Sequence, residues 1–278
     1  MSKPNAKPTV IWPEMNKSEE SIDCDFHSCC TNANLASAPP IDEFYSYARE
    51  LLVRSGRPEI SADSVFLRLL LLEVVSGAEY YFRRVLTELL IACPLSRTAA
   101  GAKVLPLSAI SYYDKPLIGF GVLEGLSLAG KGEIKKQTMA MTGLEIKNGS
   151  SEFVALEDFE KICHIRHAIV HAKGQLGSHN AIELGLASSS PRRIEFDSIN
   201  FQKLVAKTQN AVRAYNRFLF RASLERWIKE DKLTGNWPED EPIFRPLHAL
   251  LYSKMDAIGS ATAEQAHAGI TGMIKRKV

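Results

Sequence analysis

Residues 151–174 read SEFVALEDFEKICHIRHAIVHAKG, and apolar side chains recur in them at steps of three and four residues. This period is typical of an amphipathic α-helix. A rotation of about 100° per residue collects the apolar side chains on one side, which should face a core: Ile162, Ile165, Ile169 and Ala172, with Phe159 at the margin. The pattern predicts a helix over Ser151–Lys173, ended by the glycines at positions 174 and 177.

The opposite side of this helix should be exposed, and it carries three histidines, His164, His167 and His171, near Cys163 and Gly174. Arg166 lies at the border between the two sides, and His167 precedes His171 by one helical turn. An arginine followed five positions later by a histidine can occur by chance in a chain of this composition, so the spacing alone carries little weight. Because Arg166 and His171 lie along an exposed strip of an amphipathic helix, we treat them as a candidate site.

The flanking sequence predicts further helices on both sides of this segment. Apolar periodicity and stop signals place them at 41–55, 62–92 with Ser61 as the cap, 117–128, 133–141, from Asp197 or Ser198 to about Glu230, and around 247–255. No run of residues alternates with the period of two that a half-buried strand requires. We therefore predict an all-α protein, built from helices packed on helices.

The helix predicted over 62–92 is apolar on most sides but carries a stripe of polar side chains. They recur at three- and four-residue steps, with Glu79 beside them: Glu73, Ser76, Tyr80, Arg83 and Thr87. A stripe of this kind favours either a solvated edge or a seam between two copies of the chain.

Composition divides the chain into three parts. Residues 1–40 are rich in Pro, Asn, Ser and Lys without periodicity, which is typical of a flexible arm. Residues 41–232 should form the helical domain, and residues 233–278 a C-terminal helical extension with a basic end, Lys275-Arg276-Lys277.

The charge and cysteine content exclude several classes of protein. The net charge of +2 over 278 residues gives no global field for nucleic acid, so an anionic partner would need a local cluster of Lys and Arg. The most apolar run, Val65–Leu72, is about half the length of a membrane span. The N-terminus lacks the plan of a signal peptide. Five cysteines form no regular framework, which favours a reducing compartment, so we expect a cytoplasmic protein without a membrane partner.

Two groups of residues suggest a metal site without supporting one. Cys24, His27, Cys29 and Cys30 lack a distant second pair of ligands, and two of the cysteines are adjacent. The histidines at 164, 167 and 171 could converge on zinc, but an HExxH pattern with its carboxylate base is absent. We expect no metal and no cofactor. Surface histidines, with an arginine paired to a carboxylate, are a further interpretation that remains open.

The segment RHAIVHAKG, residues 166–174, resembles the HEPN superfamily (higher eukaryotes and prokaryotes nucleotide-binding domain), whose signature is R-x₄-H. The upstream segment SGAEYYFRR, residues 76–84, is similar to the early helix of that family, which presents a polar or acidic residue to the motif. The resemblance covers roughly residues 61–230. In a subset of the family a tyrosine stands two positions after the histidine, where this chain has Lys173, so regulation through such a tyrosine is not supported.

The resemblance implies a HEPN-like helical bundle that acts as a homodimeric, metal-independent endoribonuclease, with one composite site between two motif helices. In that site His171 would transfer protons, Arg166 would clamp the phosphate and His167 would assist. Glu79 would hold Arg166 in place, and Lys173 would be a further supporting residue. Relatives of this kind serve as toxins or antiviral effectors, which implies an RNA substrate and an antitoxin or defence-system partner. The alternative is a non-catalytic helical module for dimerisation or for binding RNA or a protein.

Overall fold

The computed structural model describes residues 15–17, 20–33, 37–186, 190–256 and 262–275. Contacts divide the chain into two units, residues 1–35 and residues 36–278. In the first unit the described residues form one turn of 3₁₀ helix, Phe26–Cys29, in which the Asp25 carboxylate accepts a hydrogen bond from the His27 N–H at 3.0 Å. Much of the predicted arm (1–14, 18–19 and 34–36) lies outside the described residues, as do Arg276 and Lys277 of the predicted basic end.

The described residues of the second unit form twelve α-helices. In chain order they are α1 (Pro40–Ser55), α2 (Pro58–Ser61), α3 (Ser64–Ala92), α4 (Pro94–Ala99), α5 (Leu107–Tyr112), α6 (Ile118–Leu123), α7 (Lys131–Thr142), α8 (Ser151–Ala172), α9 (Ser178–Glu183), α10 (Ser198–Lys229), α11 (Trp237–Leu251) and α12 (Ala263–Lys275). The described chain contains no strand, and one isolated bridge joins Gln175 to Arg193. The predicted all-α class is confirmed.

Three predicted helices have wrong boundaries. The helix predicted over 117–128 is the shorter α6, which ends at Leu123. The long helix α3 begins at Ser64 because the Asp63 carboxylate accepts the Val65 N–H at 2.8 Å and the Phe66 N–H at 3.2 Å, which fixes the N-cap there. Helix α11 spans Trp237–Leu251, whereas the sequence predicted a helix around 247–255. Helix α11 ends at Leu251. The residues that follow are held by the buried Asp42 carboxylate, which accepts the Ser253 hydroxyl at 2.6 Å and the Lys254 N–H at 2.9 Å.

Aromatic side chains join the three helices that position the motif. Phe82 of α3 lies 5.1 Å from the ring of Tyr215 on α10 and 5.6 Å from that of Phe159 on α8. All three rings are fully buried. The Tyr81 hydroxyl, one residue before Phe82, donates to Asn216 at 3.1 Å. Helix α8 is therefore fixed along one side against α3 and α10, and its remaining side is left for other contacts or solvent.

The C-terminal end of α8 is closed by two residues in the left-handed region. Lys173 has φ of 51° and Gly174 has φ of 88°. The Ile194 N–H donates to the Gly174 carbonyl at 2.7 Å, and Arg68 of α3 donates to the Ile194 carbonyl at 3.2 Å. A Cβ at position 174 would lie 2.7 Å from the Arg68 guanidinium. The glycine therefore serves both the backbone conformation and the close approach of α3.

We expect Gly174→Ala to lower the free energy of unfolding by about 1–2 kcal/mol, since a side chain in the left-handed region is strained. Urea denaturation followed by circular dichroism measures this change. Gly132→Ala is the matched control, because that glycine lies inside α7 with no heavy atom within 4 Å of an added Cβ. The control should change the free energy of unfolding by no more than about 0.5 kcal/mol, because Gly132 is exposed in the first turn of α7. An equal loss of unfolding free energy in Gly174→Ala and Gly132→Ala would contradict the role of the left-handed backbone at Gly174.

Candidate functional site

His167 and His171 form a pair of imidazoles on the exposed side of α8. Both side chains are exposed, and their ring centroids lie 4.5 Å apart with the planes tilted by 48°. Neither ring has a hydrogen-bond partner among the described residues. The pair therefore presents ring nitrogens to solvent one helical turn apart, on the strip where the sequence placed them.

His164, the third histidine of the predicted strip, has a different environment. It is half-buried, and its Nδ1 lies 3.1 Å from the Asn180 Oδ1 of α9. Its ring meets that of His179 edge-on at 5.8 Å. Helix α9 follows α8 after a short turn and covers this part of α8. The structure therefore brings together His167 and His171, while His164 is held to one side by Asn180.

The predicted faces of α8 need two corrections. Ala172, predicted on the core side, is exposed, because it is the last residue of the helix and little packs beyond it. Cys163, which the helical rotation places near the histidines, is buried, and this burial raises the pKa of its thiol, with the Glu79 carboxylate adding to the effect. Because a raised thiol pKa suppresses the thiolate, Cys163 is unsuited to act as a nucleophile.

Arg166 lies at the border of the two faces and points toward α3. Its guanidinium is 3.9 Å from the Glu79 carboxylate, and it remains 34% exposed, whereas Glu79 is only 13% exposed. Glu79 is itself positioned by the chain between α6 and α7, since it accepts the Leu128 N–H at 3.1 Å. Arg83 is a second cation at 3.9 Å from Glu79. The carboxylate thus attracts both guanidinium groups, and part of the Arg166 guanidinium stays exposed to solvent.

The polar stripe of α3 is exposed at Glu73, Ser76 and Tyr80, as the predicted solvated edge or seam between two copies requires. Tyr80 stacks on Phe120 with ring centroids 6.1 Å apart, and Arg83 donates to the Leu123 carbonyl at 2.6 Å. Thr87 is fully buried, and a Cβ at Gly119 would lie 2.7 Å from its methyl group. Helix α6 therefore covers the C-terminal part of this stripe, at Arg83 and Thr87. The covering of this part was not predicted, because Pro and Gly break the sequence around α6 into short pieces without a readable period.

Lys173, the last predicted site residue, caps the end of α8 with an exposed side chain. Its carbonyl lies 3.4 Å from the Arg68 guanidinium. The exposed lysine side chain adds a positive charge two residues after His171.

The cations around His167 perturb its protonation. Partial removal from water lowers the pKa of His167 below its ordinary value of 6.5, and the positive charges of His171 and Arg166 lower that pKa further. His164 and His179 contribute smaller effects in the same direction. The neutral form of the His167 imidazole is therefore favoured near neutral pH.

We expect an NMR titration of the imidazole signals to give His167 a midpoint below 6.5. In His171→Ala the midpoint should rise, because a neighbouring positive charge is removed. His179→Ala is the matched control and should raise the midpoint less, since His179 is the weakest of the neighbouring charges. An unchanged His167 midpoint in His171→Ala would show that the two rings do not interact in solution.

No group of three or more His, Cys, Asp or Glu side chains in the described chain is arranged to hold a metal ion. Within the same residues, every helix is too short or too polar to cross a bilayer. Comparisons of the chain with protein-family models, with curated proteins and with solved structures found no match.

Proposed function

We propose that this chain is a metal-independent endoribonuclease of the HEPN type, acting in the cytoplasm as a toxin or antiviral-defence effector. The observation that carries the proposal is the combination on α8 of an exposed imidazole pair with an arginine that lies 3.9 Å from a nearly buried carboxylate. An imidazole can accept and return a proton near neutral pH, and a guanidinium forks onto phosphate oxygens. These are the groups that RNA cleavage through the 2′-hydroxyl requires.

In the proposed reaction the 2′-oxygen of one nucleotide attacks the adjacent phosphorus. An imidazole takes the 2′-hydroxyl proton, the P–O2′ bond forms, and the P–O5′ bond breaks. A second proton passes to the departing 5′-oxygen. The products are a 2′,3′-cyclic phosphate and a 5′-hydroxyl end, so the step needs neither an oxidant nor a further reactant.

His171 is assigned the proton transfer, and His167 assists it from one turn away. Arg166 stabilises the negative charge that gathers on the phosphate oxygens in the transition state. Lys173 adds positive charge for the flanking RNA backbone. Glu79 touches none of the reacting atoms and serves as a positioning residue for Arg166.

A second copy of the chain would complete the site with its own His171, as the resemblance to the HEPN superfamily implies. Exposed apolar side chains near the motif support such a dimer. Val65, Phe66 and Leu69 lie at the start of α3, and Val170 lies within the motif; all four are about half exposed. Arg68 joins this part of α3 to the end of α8. Apolar side chains grouped on a surface are typical of interfaces.

Glu79→Gln should lower kcat for RNA cleavage by no more than about tenfold, because a partly exposed ion pair contributes about 1 kcal/mol or less. The amide oxygen can still accept the Leu128 N–H, so the change removes the charge and keeps the fold. Because the effect acts through orientation of Arg166, the loss should appear in kcat more than in KM. Steady-state kinetics on a fluorescent RNA measures both parameters.

The control for this variant is Glu157→Gln, which removes another partly exposed ion pair on α8, that with Lys131 at 3.0 Å. It lies nine residues before Arg166, and it should leave kcat unchanged. Equal losses in the two variants would assign the effect of Glu79 to stability alone.

The proposal is tested by incubating purified wild-type protein and His171→Ala with total tRNA and with mRNA in EDTA. Cleavage by the wild type that survives EDTA and is lost in the variant supports it. Cleavage that EDTA abolishes would overturn the metal-free mechanism. Absence of cleavage, with RNA binding or dimerisation retained, would favour the non-catalytic module.

A further inference from the structure

The imidazole pair of α8 has the geometry of a metal chelate. Two histidines at i and i+4 on a helix can bind one transition-metal ion. Here the ring centroids of His167 and His171 are already 4.5 Å apart. Metal–nitrogen bonds to imidazole are about 2.0–2.1 Å long, so small rotations of two exposed side chains bring one nitrogen of each ring onto a shared ion. The helix backbone need not move.

We propose that His167 and His171 of one chain together bind one divalent transition-metal cation of the zinc, nickel or copper class, and that the bound cation inhibits RNA cleavage. The inhibitory part rests on the function proposed above, whereas the chelate does not. Imidazole nitrogens suit these cations better than they suit magnesium or calcium, which prefer oxygen ligands.

The surroundings of the pair support a site with two protein ligands. Neither ring has a hydrogen-bond partner in the described chain that a metal ion would have to displace. His164 faces Asn180 instead, and the described residues offer no group of three ligands. Water would complete the coordination, so the ion should exchange freely and chelators should remove it.

Inhibition follows from the chemistry of the nitrogen lone pair. A ring nitrogen that coordinates a metal ion cannot accept a proton at the same position, so the ion withdraws the proton-transfer group. EDTA should therefore protect the activity. This behaviour is opposite to that of a nuclease whose metal ion takes part in the reaction.

The chelate is tested by isothermal titration calorimetry with Ni²⁺. Every protein in the experiment carries Cys24→Ser, Cys29→Ser and Cys30→Ser, because exposed thiols would compete for the ion. The reference should bind one ion per chain, and adding His167→Ala should weaken binding at least tenfold. Adding His179→Ala, the matched control, should leave the affinity unchanged. Equal affinity in the reference and His167→Ala, or half an ion per chain, would overturn the chelate.

Inhibition is measured on the reference protein, which carries the three Cys→Ser substitutions and keeps both histidines. RNA cleavage should fall with rising Ni²⁺, with a midpoint at the calorimetric dissociation constant, and EDTA should restore it. Full activity at saturating Ni²⁺ would overturn the inhibitory role and leave the proposed nuclease intact. If no condition gave cleavage, the proposed function and with it the inhibition would fail, while the calorimetry would still decide the chelate.

Discussion

Replacing His171 with alanine is expected to lower RNA cleavage in EDTA by about 10²–10⁴-fold, the usual contribution of a positioned acid–base group. The side chain is exposed, so its removal should change the free energy of unfolding by no more than about 0.5 kcal/mol. The loss should therefore appear in the rate constant of cleavage, measured in single-turnover kinetics, and not in the amount of folded protein.

The control for this prediction is His179→Ala, an exposed histidine on α9 that has no part in the proposed reaction. Its cleavage rate should stay within about twofold of wild type, a difference well below 1 kcal/mol. If His171→Ala and His179→Ala cleave RNA at the same rate, His171 is not the proton-transfer group, whatever the activity of the wild type.

Replacing Arg166 with alanine is expected to lower the cleavage rate by about 10²–10³-fold, the effect of deleting one group that stabilises a developing oxyanion. Arg166→Lys should fall between this variant and wild type, because an ammonium keeps the charge but cannot fork onto two oxygens. Since Glu79 acts through Arg166, adding Glu79→Gln to Arg166→Ala should cause no further loss.

Arg217→Ala is the matched control for the removal of an arginine. Arg217 is exposed on α10, outside the motif, and its removal should change the cleavage rate by less than about twofold. A similar loss in Arg166→Ala and Arg217→Ala would point to general attraction of RNA by positive charge. It would contradict a specific role for Arg166 at the scissile phosphate.

The local sequence pattern was sufficient to predict the features that depend on a single helix. The period of residues 151–173 predicted the course of α8, and the i, i+4 relation predicted the exposed His167–His171 pair. The apolar run of α3 predicted a largely buried helix, and the structure buries Phe82 at the centre of an aromatic cluster. These features follow from helical geometry and burial of apolar surface, which a single sequence records directly.

Features that depend on contacts between distant segments could not be read in the same way. The contacts of α6 with Tyr80 and with the buried Thr87 arise from a short helix whose sequence has little periodicity. The hydrogen bond between His164 and Asn180 requires the turn that folds α9 back on α8. The Leu128 N–H that fixes Glu79 lies 49 positions along the chain. No local propensity specifies such pairings, because tertiary packing decides them.

The most direct test of the proposed function uses an RNA oligonucleotide whose cleaved bond has been mapped, together with the same oligonucleotide carrying a 2′-deoxynucleotide on the 5′ side of that bond. Both are incubated with wild-type protein in EDTA. We expect the all-ribose strand to be cut, leaving a 2′,3′-cyclic phosphate and a 5′-hydroxyl end, and the substituted strand to stay intact at that bond. Equal cutting of the two strands, or no cutting of either, would contradict the proposed mechanism.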